Sequence, residues 1–545
     1  MVTKLSYAIL NLNILNRGII MNNKRKLFVR LSLIGASLIS LASCSIIQKI
    51  ISGANEILAS SQTNSIDSYH NPTSNTLIDS EAFDDAGNAI KFKDVYENEG
   101  YVNLNSTGEA KILVIPVYFS DMPLTRLKKS EEETINDINN TFFGDSSSTS
   151  YWESVSSFYQ KSSYNKLQIS GKVSSFCLID ESLNNIASMT SYADPTYYVL
   201  RYAVDWYKAN YDDVQDFDLD KDGYIDAVWL VYANKYYSSS ENSSLYSGLS
   251  SKAKDLLWAY TYWDYDRKPN KLSPVANCYA WASSHFMYSG TTRGVDAHTF
   301  IHETGHMMGL DDYYDYDSDT SRLSPAGGLD MMDCNIGDHN AYSKYLLGWI
   351  TPSLVKEEGE YELKPFQDGG YSLLVPASLN EFSYSPFSEY LLIEFYTPTG
   401  LNEHDAEVAY CGYYPKMFTK YGVKIYHVDS RLIYINRKTH SFVYTNTFDK
   451  NKVTSTNGYS IAASNTCSSS IDENIKLIRL LSGSGKNNNF YGPKDASNAD
   501  LFLNNDSLSS FTFNSSYSLE YNINISISSS LFQNPTEAII KISKK

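Results

Sequence analysis

His302, Glu303 and His306 stand in the order His-Glu-x-x-His, which can assemble a water-activating metal site. Residues four apart on a helix lie one turn apart on one face, so both imidazoles can meet one ion with Glu303 beside it. Neutral imidazole suits Zn²⁺, and a catalytic zinc takes three protein ligands while keeping one position for water. Gly309 can end the helix in a left-handed conformation and turn the chain back. Asp312, ten places after His302, is then the candidate third ligand, giving the long form of the motif with Asp at its end. The chemistry would be metal-assisted hydrolysis, with Glu303 as proton acceptor.

A second grouping is Asp218, Asp220, Asp222, Gly223 and Asp226. Acids at alternate positions with Gly after the third match the start of a Ca²⁺ loop, where oxygens converge and Gly allows a sharp turn. The match to an EF-hand stops at Trp229, which stands where the bidentate Glu would be. The expectation is a structural calcium loop feeding a core strand. In long-form zinc peptidases a methionine turn lies beneath the metal, and Met332, just before Asp333, is the candidate. His298, four residues before His302, reads as a helix-surface histidine, with support of the metal site as its alternative. His339, His404, His427 and His440 show no ligand spacing and are assigned no role.

These groups need elements to hold them. The run from Lys111 to Phe119 suits a buried strand, residues 130–142 and 151–164 suit helices, and Trp152, Val155, Phe158 and Tyr159 share one face of the second. Lys166 to Val173 reads as a strand, Tyr197 to Tyr211 as an amphipathic helix, and Ala227 to Ala233 as the strand after the acidic loop. Gly327 to Asp333 reads as a turn, followed by a helix from Ala341 to Trp349. Residues 360–545 show strand-like runs, including Tyr390 to Phe395, Val423 to His427 and Ile523 to Ile527, broken by Gly, Asn and Ser. They suggest one or two β-sandwich domains.

A chain of 545 residues with 42% hydrophobic content is long enough for two or three domains with sizeable cores. Its 45 tyrosines point to β-rich extracellular architecture. The start reads as an export signal: Lys24, Arg25 and Lys26 precede an apolar stretch from Leu27 to Ser43, too short to span a bilayer comfortably. Leu41-Ala42-Ser43-Cys44 resembles a bacterial lipobox, with Cys44 as the lipidated first residue of the mature chain. A basic region beginning just after Met21 points to Met21 as the translation start. Six basic residues and no acids lie in residues 1–43, so the remainder carries a net charge of −23, which argues against nucleic acid as a partner. Cys177, Cys278, Cys334, Cys411 and Cys467 are odd in number and widely spaced, and give no disulfide framework. Residues 1–43 are thus the signal peptide, 44–105 a Ser/Asn-rich tether, 106–352 the catalytic domain and 353–545 the β-rich C-terminal region.

From Lys111 to Pro352, and more weakly through Asp429, the chain resembles the immune inhibitor A type of metallopeptidase, the metzincin-like M6 family of secreted bacterial zinc proteases. The resemblance rests on the strand ending in Phe119-Ser120-Asp121, the segment Tyr151 to Lys166 and the Asp-rich loop before a strand. It rests also on the stretch His302 to Asp315, on Met332-Asp333 and on Lys344 to Trp349. It implies an α+β metzincin-like peptidase domain followed by an all-β, sandwich-like region, zinc on His302, His306 and Asp312, and Glu303 as base. Asp311 stands where such proteins often carry Pro, so either acid is a candidate for the third ligand, with spacing favouring Asp312. Cys334 stands where some metzincins carry an oxyanion-assisting Tyr; it reads as a small buried filler, leaving that help to zinc or another donor. The implied function is a zinc endopeptidase acting on polypeptides from the outer face of a bacterial membrane, lipid-anchored or shed. A zinc hydrolase of glycosylated or cell-wall peptides and an inactive surface adhesin are the alternatives, and the intact Glu303 speaks against the second.

Overall fold

The twelve-residue strand β1 (Gly108–Phe119) divides its side chains between two cores, which is why its sequence is almost continuously apolar. Ile112 and Val114 join the cluster that contains the His-Glu-x-x-His helix, while Leu113, Ile115, Val117 and Phe119 join a second cluster on the opposite face. The computed structural model describes residues 103–545 apart from 125–126, 150–151, 290–293, 317–323, 384, 467–474, 484–494 and 529–533, together with Val95 and three short strands before it. Residues 1–68, with the export signal and Cys44, lie outside the described residues, as does Cys467.

β1 is central in a sheet with β2 (Leu167–Val173), β3 (Cys177–Ile179), β4 (Val228–Tyr232), β5 (Tyr260–Trp263) and β6 (Cys278–Ser283). The order is β2-β1-β4-β6-β5, with β3 also paired to β1. All neighbours are parallel except β5, which runs antiparallel to β6 with Thr261 opposite Ala280. One face carries α1 (Glu131–Phe143), α2 (Val155–Ser162) and α4 (His298–Met307), and α3 (Thr196–Asn210) lies across the other. The capping box of Ser130 and Glu133 fixes the start of α1. Ser154 caps α2, so this helix begins four residues later than its apolar pattern predicts and Trp152 precedes it.

After α5 (Met331–Cys334), a single helical turn inside the stretch read as a plain turn, and α6 (Ala341–Leu346), the chain is β-rich. A second sheet has the order β7 (Ser353–Leu354), β9 (Ser372–Pro376), β10 (Glu389–Tyr396), β11 (Gly422–Asp429) and β15 (Ile478–Leu480). A third runs β8 (Gly359–Leu363), β18 (Ala538–Lys544), β17 (Tyr521–Ile527) and β16 (Ser507–Leu508). Leu391, Ile393, Phe395, Ile523, Ile525, Ile540 and Ile542 fill one cluster between these two sheets, a sandwich packing. The other face of the second sheet, with Tyr390, Leu392 and Tyr426, belongs to the cluster that contains α4. A smaller sheet, β13 (Phe442–Tyr444), β12 (Leu432–Asn436) and β14 (Asn457–Ile461), completes the region. The architecture is mixed α+β and mostly β.

Segments ahead of β1 also pair. Tyr69–His70 adds in parallel to β8, and Ala82–Phe83 pairs with Ala89–Ile90, within the stretch expected to be a tether. Further on, the Leu104 amide donates to the Met307 carbonyl at 2.9 Å, and the Trp349 indole donates to the Ser106 carbonyl at 2.6 Å. Among the described residues no helix is long and apolar enough to cross a membrane.

Candidate metal and hydrolytic site

α4 has no side-chain cap on its first residue, but its His298 amide donates to the Asp296 carboxylate at 3.0 Å. It ends at Gly309, whose φ of +98° is the left-handed turn the sequence asks for. The Gly309 and Leu310 amides close that turn on the carbonyls of His306 and Gly305. The returning chain brings Asp312 back over the helix.

His302 and His306 are oriented from behind. Nδ1 of His302 lies 2.7 Å from the Met331 carbonyl, and Nδ1 of His306 lies 2.7 Å from the Leu310 carbonyl. Carbonyl oxygens only accept, so both Nδ1 atoms carry hydrogen, and the two Nε2 atoms are the ring positions left facing forward to take either a proton or a metal. The two Nε2 atoms are 3.1 Å apart, and Asp312 Oδ1 lies 3.0 Å from one and 3.3 Å from the other. Burial opposes charge on His306, but the Asp312 carboxylate outweighs it and lifts the imidazole to about 10. Burial would raise Asp312 too, yet the two imidazoles hold it well below the usual carboxylate range. Three donor atoms directed at one point fit a tetrahedral zinc, which competes with the proton that otherwise holds them together.

Asp311 is held differently. It accepts hydrogen bonds from the Ser464 hydroxyl and, at 3.1 Å, from the Asp312 amide, so its oxygens are engaged toward the C-terminal half. The geometry brings Asp312, and not Asp311, to the imidazoles. The second oxygen of Asp312 accepts from the Tyr316 hydroxyl.

Glu303 is buried beside the cluster. Burial raises its carboxyl above the ordinary value against the pull of both imidazoles, the direction that suits a group taking a proton near neutral pH. Thr261 on β5 shares its hydroxyl proton between the Glu303 carbonyl at 2.8 Å and Oε2 at 3.1 Å, tying the carboxylate to the end strand of the sheet. Beneath α4, Met332 packs so tightly that a Cβ on Gly305 would stand 2.6 Å from its Sδ. The Met332 carbonyl accepts from the Tyr313 amide, fixing the chain just after Asp312. Cys334 is fully buried, its Sγ 3.8 Å from Asp333.

His298 departs from its reading as a surface histidine: it is fully buried, between Asp296 at 2.7 Å and Asp405 at 3.2 Å, and stacked between Trp152 and Tyr410. Its periodicity was legible, but Asp405 is more than a hundred residues away and Trp152 belongs to another element. His404 bonds Asp405 as well, at 3.0 Å, and His427 pairs with Glu389 at 2.8 Å, so both do structural duty. His339 is buried against Phe158, Tyr159 and Trp349. Thr261 and Tyr316 carried no motif and were missed.

The site opens into a cleft of about 1350 Å³, walled by Tyr260, Thr261 and Trp263 of β5 and by Trp258, Tyr316, Tyr413 and Tyr414. In the acidic loop, carboxylate oxygens of Asp218, Asp220 and Asp222 lie within 4.8 Å of one another. Gly223 has a φ of +100°, and its amide donates to Asp218. Asp226 lies across the loop with Oδ1 accepting from the Leu219 amide at 3.1 Å, and burial together with Asp220 and Asp218 pushes it up to about 7. Among the described residues Cys177, Cys278, Cys334 and Cys411 are free thiols. Compared with known proteins, the chain matches no family model and no curated sequence.

Proposed function

We propose that the chain is a zinc-dependent endopeptidase of the immune inhibitor A type, with a metzincin-like catalytic half, carried to the outer face of a bacterial membrane by a lipid on Cys44. The observation that carries this reading is the convergence of His302 Nε2, His306 Nε2 and Asp312 Oδ1 beside a buried Glu303. Zinc, when bound to these three groups, supplies Lewis acidity, bringing the ionisation of water toward neutral pH and polarising a peptide carbonyl.

The chain's own residues do the rest. Glu303 accepts the proton of the attacking water and hands it to the departing amine nitrogen, and its raised affinity for protons suits both steps. Thr261 holds the carboxylate in place during the exchange. β5 is the last strand of its sheet and walls the cleft, so an extended peptide laid beside it would present a backbone carbonyl to the site. That arrangement favours polypeptide substrates. The test is Glu303→Gln, assayed on a proteome-derived peptide library alongside zinc analysis. Cleavage should vanish while one zinc stays bound; cleavage by a zinc-loaded variant refutes the assignment of Glu303.

One observation favours a narrower substrate. Trp258 is 53% exposed and Tyr413 77% exposed at the cleft, the kind of open aromatic face on which sugars stack. A hydrolase of glycosylated peptides would cleave mucin-like glycopeptides and spare their deglycosylated forms.

A further inference from the structure

The acidic loop lacks a ligand that its own sequence cannot supply. Counting from Asp218, the chain provides side-chain oxygens at the first, third, fifth and ninth positions, but the twelfth, where the bidentate Glu of a calcium loop belongs, is Trp229. Trp229 is fully buried in the core, with its indole donating to Thr304 of α4. A different part of the chain stands at the loop instead. Asn103 and Asn105, ahead of β1, line a small cavity together with Asp220, Asp222, Tyr224 and Asp226. The cavity measures about 10 Å³, room for a single water-sized occupant.

Two of the side chains around it carry buried polar atoms that no protein group satisfies. Asn103 is 8% exposed, and neither its amide oxygen nor its amide nitrogen has a hydrogen-bond partner. Asp226 is also 8% exposed, and its Oδ2 has no partner. Burying a carboxylate oxygen and a whole amide without partners costs several kcal/mol in general, so an arrangement of this kind calls for an occupant that bonds oxygen. Every available side-chain donor except the asparagine nitrogens is oxygen, with neither imidazole nor thiolate nearby. That selects a hard cation, and four carboxylates in a loop of irregular backbone suit Ca²⁺ over the octahedral demands of Mg²⁺.

We infer that Asn103 completes a Ca²⁺ site with Asp218, Asp220, Asp222 and Asp226, and that the bound ion straps the segment ahead of β1 against the C-terminal end of α4. The mechanical link is short. The residue after Asn103, Leu104, is buried, and its amide donates to the carbonyl of Met307, the last residue of the helix that carries His302 and His306. Holding Asn103 at the loop therefore holds Leu104 on the helix that presents the two imidazoles. This inference does not depend on peptide hydrolysis, since the loop and the imidazole cluster share no ligand.

The test uses the full chain, stripped with a chelator and titrated with CaCl₂ alone. Affinity is read by competition with a chromophoric chelator, and hydrogen exchange at the Leu104 amide reports the strap. Wild type should bind one Ca²⁺ at this loop, more tightly than Mg²⁺, and Leu104 exchange should slow on binding. Asn103→Ala, which removes no protein hydrogen bond, should weaken Ca²⁺ at least tenfold and remove the slowing at Leu104. Asp220→Asn should weaken binding likewise. Asn103→Asp, which keeps an oxygen donor, should retain binding and guards against a folding defect at that position. Unchanged affinity in Asn103→Ala, a preference for Mg²⁺, or Ca²⁺ binding that leaves Leu104 exchange unaltered each overturns the inference.

Discussion

Replacing His298 with Gln should flatten the dependence of stability on alkaline pH, and the size of the change follows from how the imidazole is held. Burial disfavours charge on His298, but Asp296 and Asp405 outweigh it and lift the group from 6.5 to about 10. Trp152 and Tyr410 stack on its two faces, and His404 shares Asp405. A value raised on folding means stability that is fully present below pH 6.5 and lost as pH climbs through about 10. Inside that window the native state holds a proton that the unfolded chain has released, so stability falls by about 1.4 kcal/mol per pH unit. From pH 7 to 9 that amounts to about 3 kcal/mol, which Gln cannot reproduce because it does not titrate. The assay is urea unfolding of wild type and His298→Gln in parallel, both with chelator so that zinc release does not enter, at half-unit steps of pH. The difference between the two curves should shrink steadily as pH rises. Parallel curves, or a difference that grows with pH, would show that His298 is not protonated in the fold. Histidine-labelled NMR of the chelated protein at pH 8 gives an independent reading, with the His298 imidazole still charged, as is that of His306, and its signal absent from His298→Gln.

The remaining expectations concern the imidazole cluster and its supports. Asp312→Asn should weaken zinc by more than about 100-fold, beyond what losing a merely supporting group costs, whereas Asp311→Asn should keep zinc; equal losses by metal analysis would contradict the geometry. Thr261→Val frees the Glu303 carboxylate and should lower kcat about tenfold with little change in zinc content, as judged by steady-state kinetics; an unchanged kcat would leave Thr261 without a positioning role. Gly305→Ala pushes a methyl into Met332 and the Tyr159 hydroxyl and should cost about 1–3 kcal/mol of stability despite better helix propensity, measured by chemical unfolding. Saturating zinc added to chelated protein should raise the thermal midpoint in wild type but not in His302→Ala.

Sequence patterning revealed the elements whose apolar residues repeat strongly. β1, β4 and α3 fall within a residue or so of their expected ends at most boundaries, because burial on both faces or along one stripe leaves a clear periodic record. α2 began late because a capping serine, and not the aromatic stripe, decides where a helix starts. The clustering of His302, Glu303, His306 and Asp312 was readable because groups one helical turn apart share a face and Gly309 turns the chain back. Their supports were not readable. The carbonyls of Met331 and Leu310 have no residue-type signature, and Thr261 and Asn103 are brought in by sheet order and by a chain crossing far apart in sequence. His298 was misread because amphipathic reasoning assigns a polar residue to solvent unless a buried partner is visible, and Asp405 was not.

The sheet built on β10 and β11 has no wet side: Leu392 and Tyr426 face the half that carries the imidazole cluster, while Leu391 and Ile425 face the outer sandwich sheet. Polar anchors reinforce the seam, with Glu394 accepting from the Ala341 amide at 3.0 Å and pairing with Lys424 at 2.9 Å. A fragment ended at Pro352 would leave that seam as raw apolar surface and release the Ala341 end of α6. The half that carries the imidazole cluster is therefore not a detachable cassette. Heat or denaturant should melt both halves in one step, and a protease that nicks the distal strands should loosen the imidazole cluster without cutting near His302, His306 or Asp312.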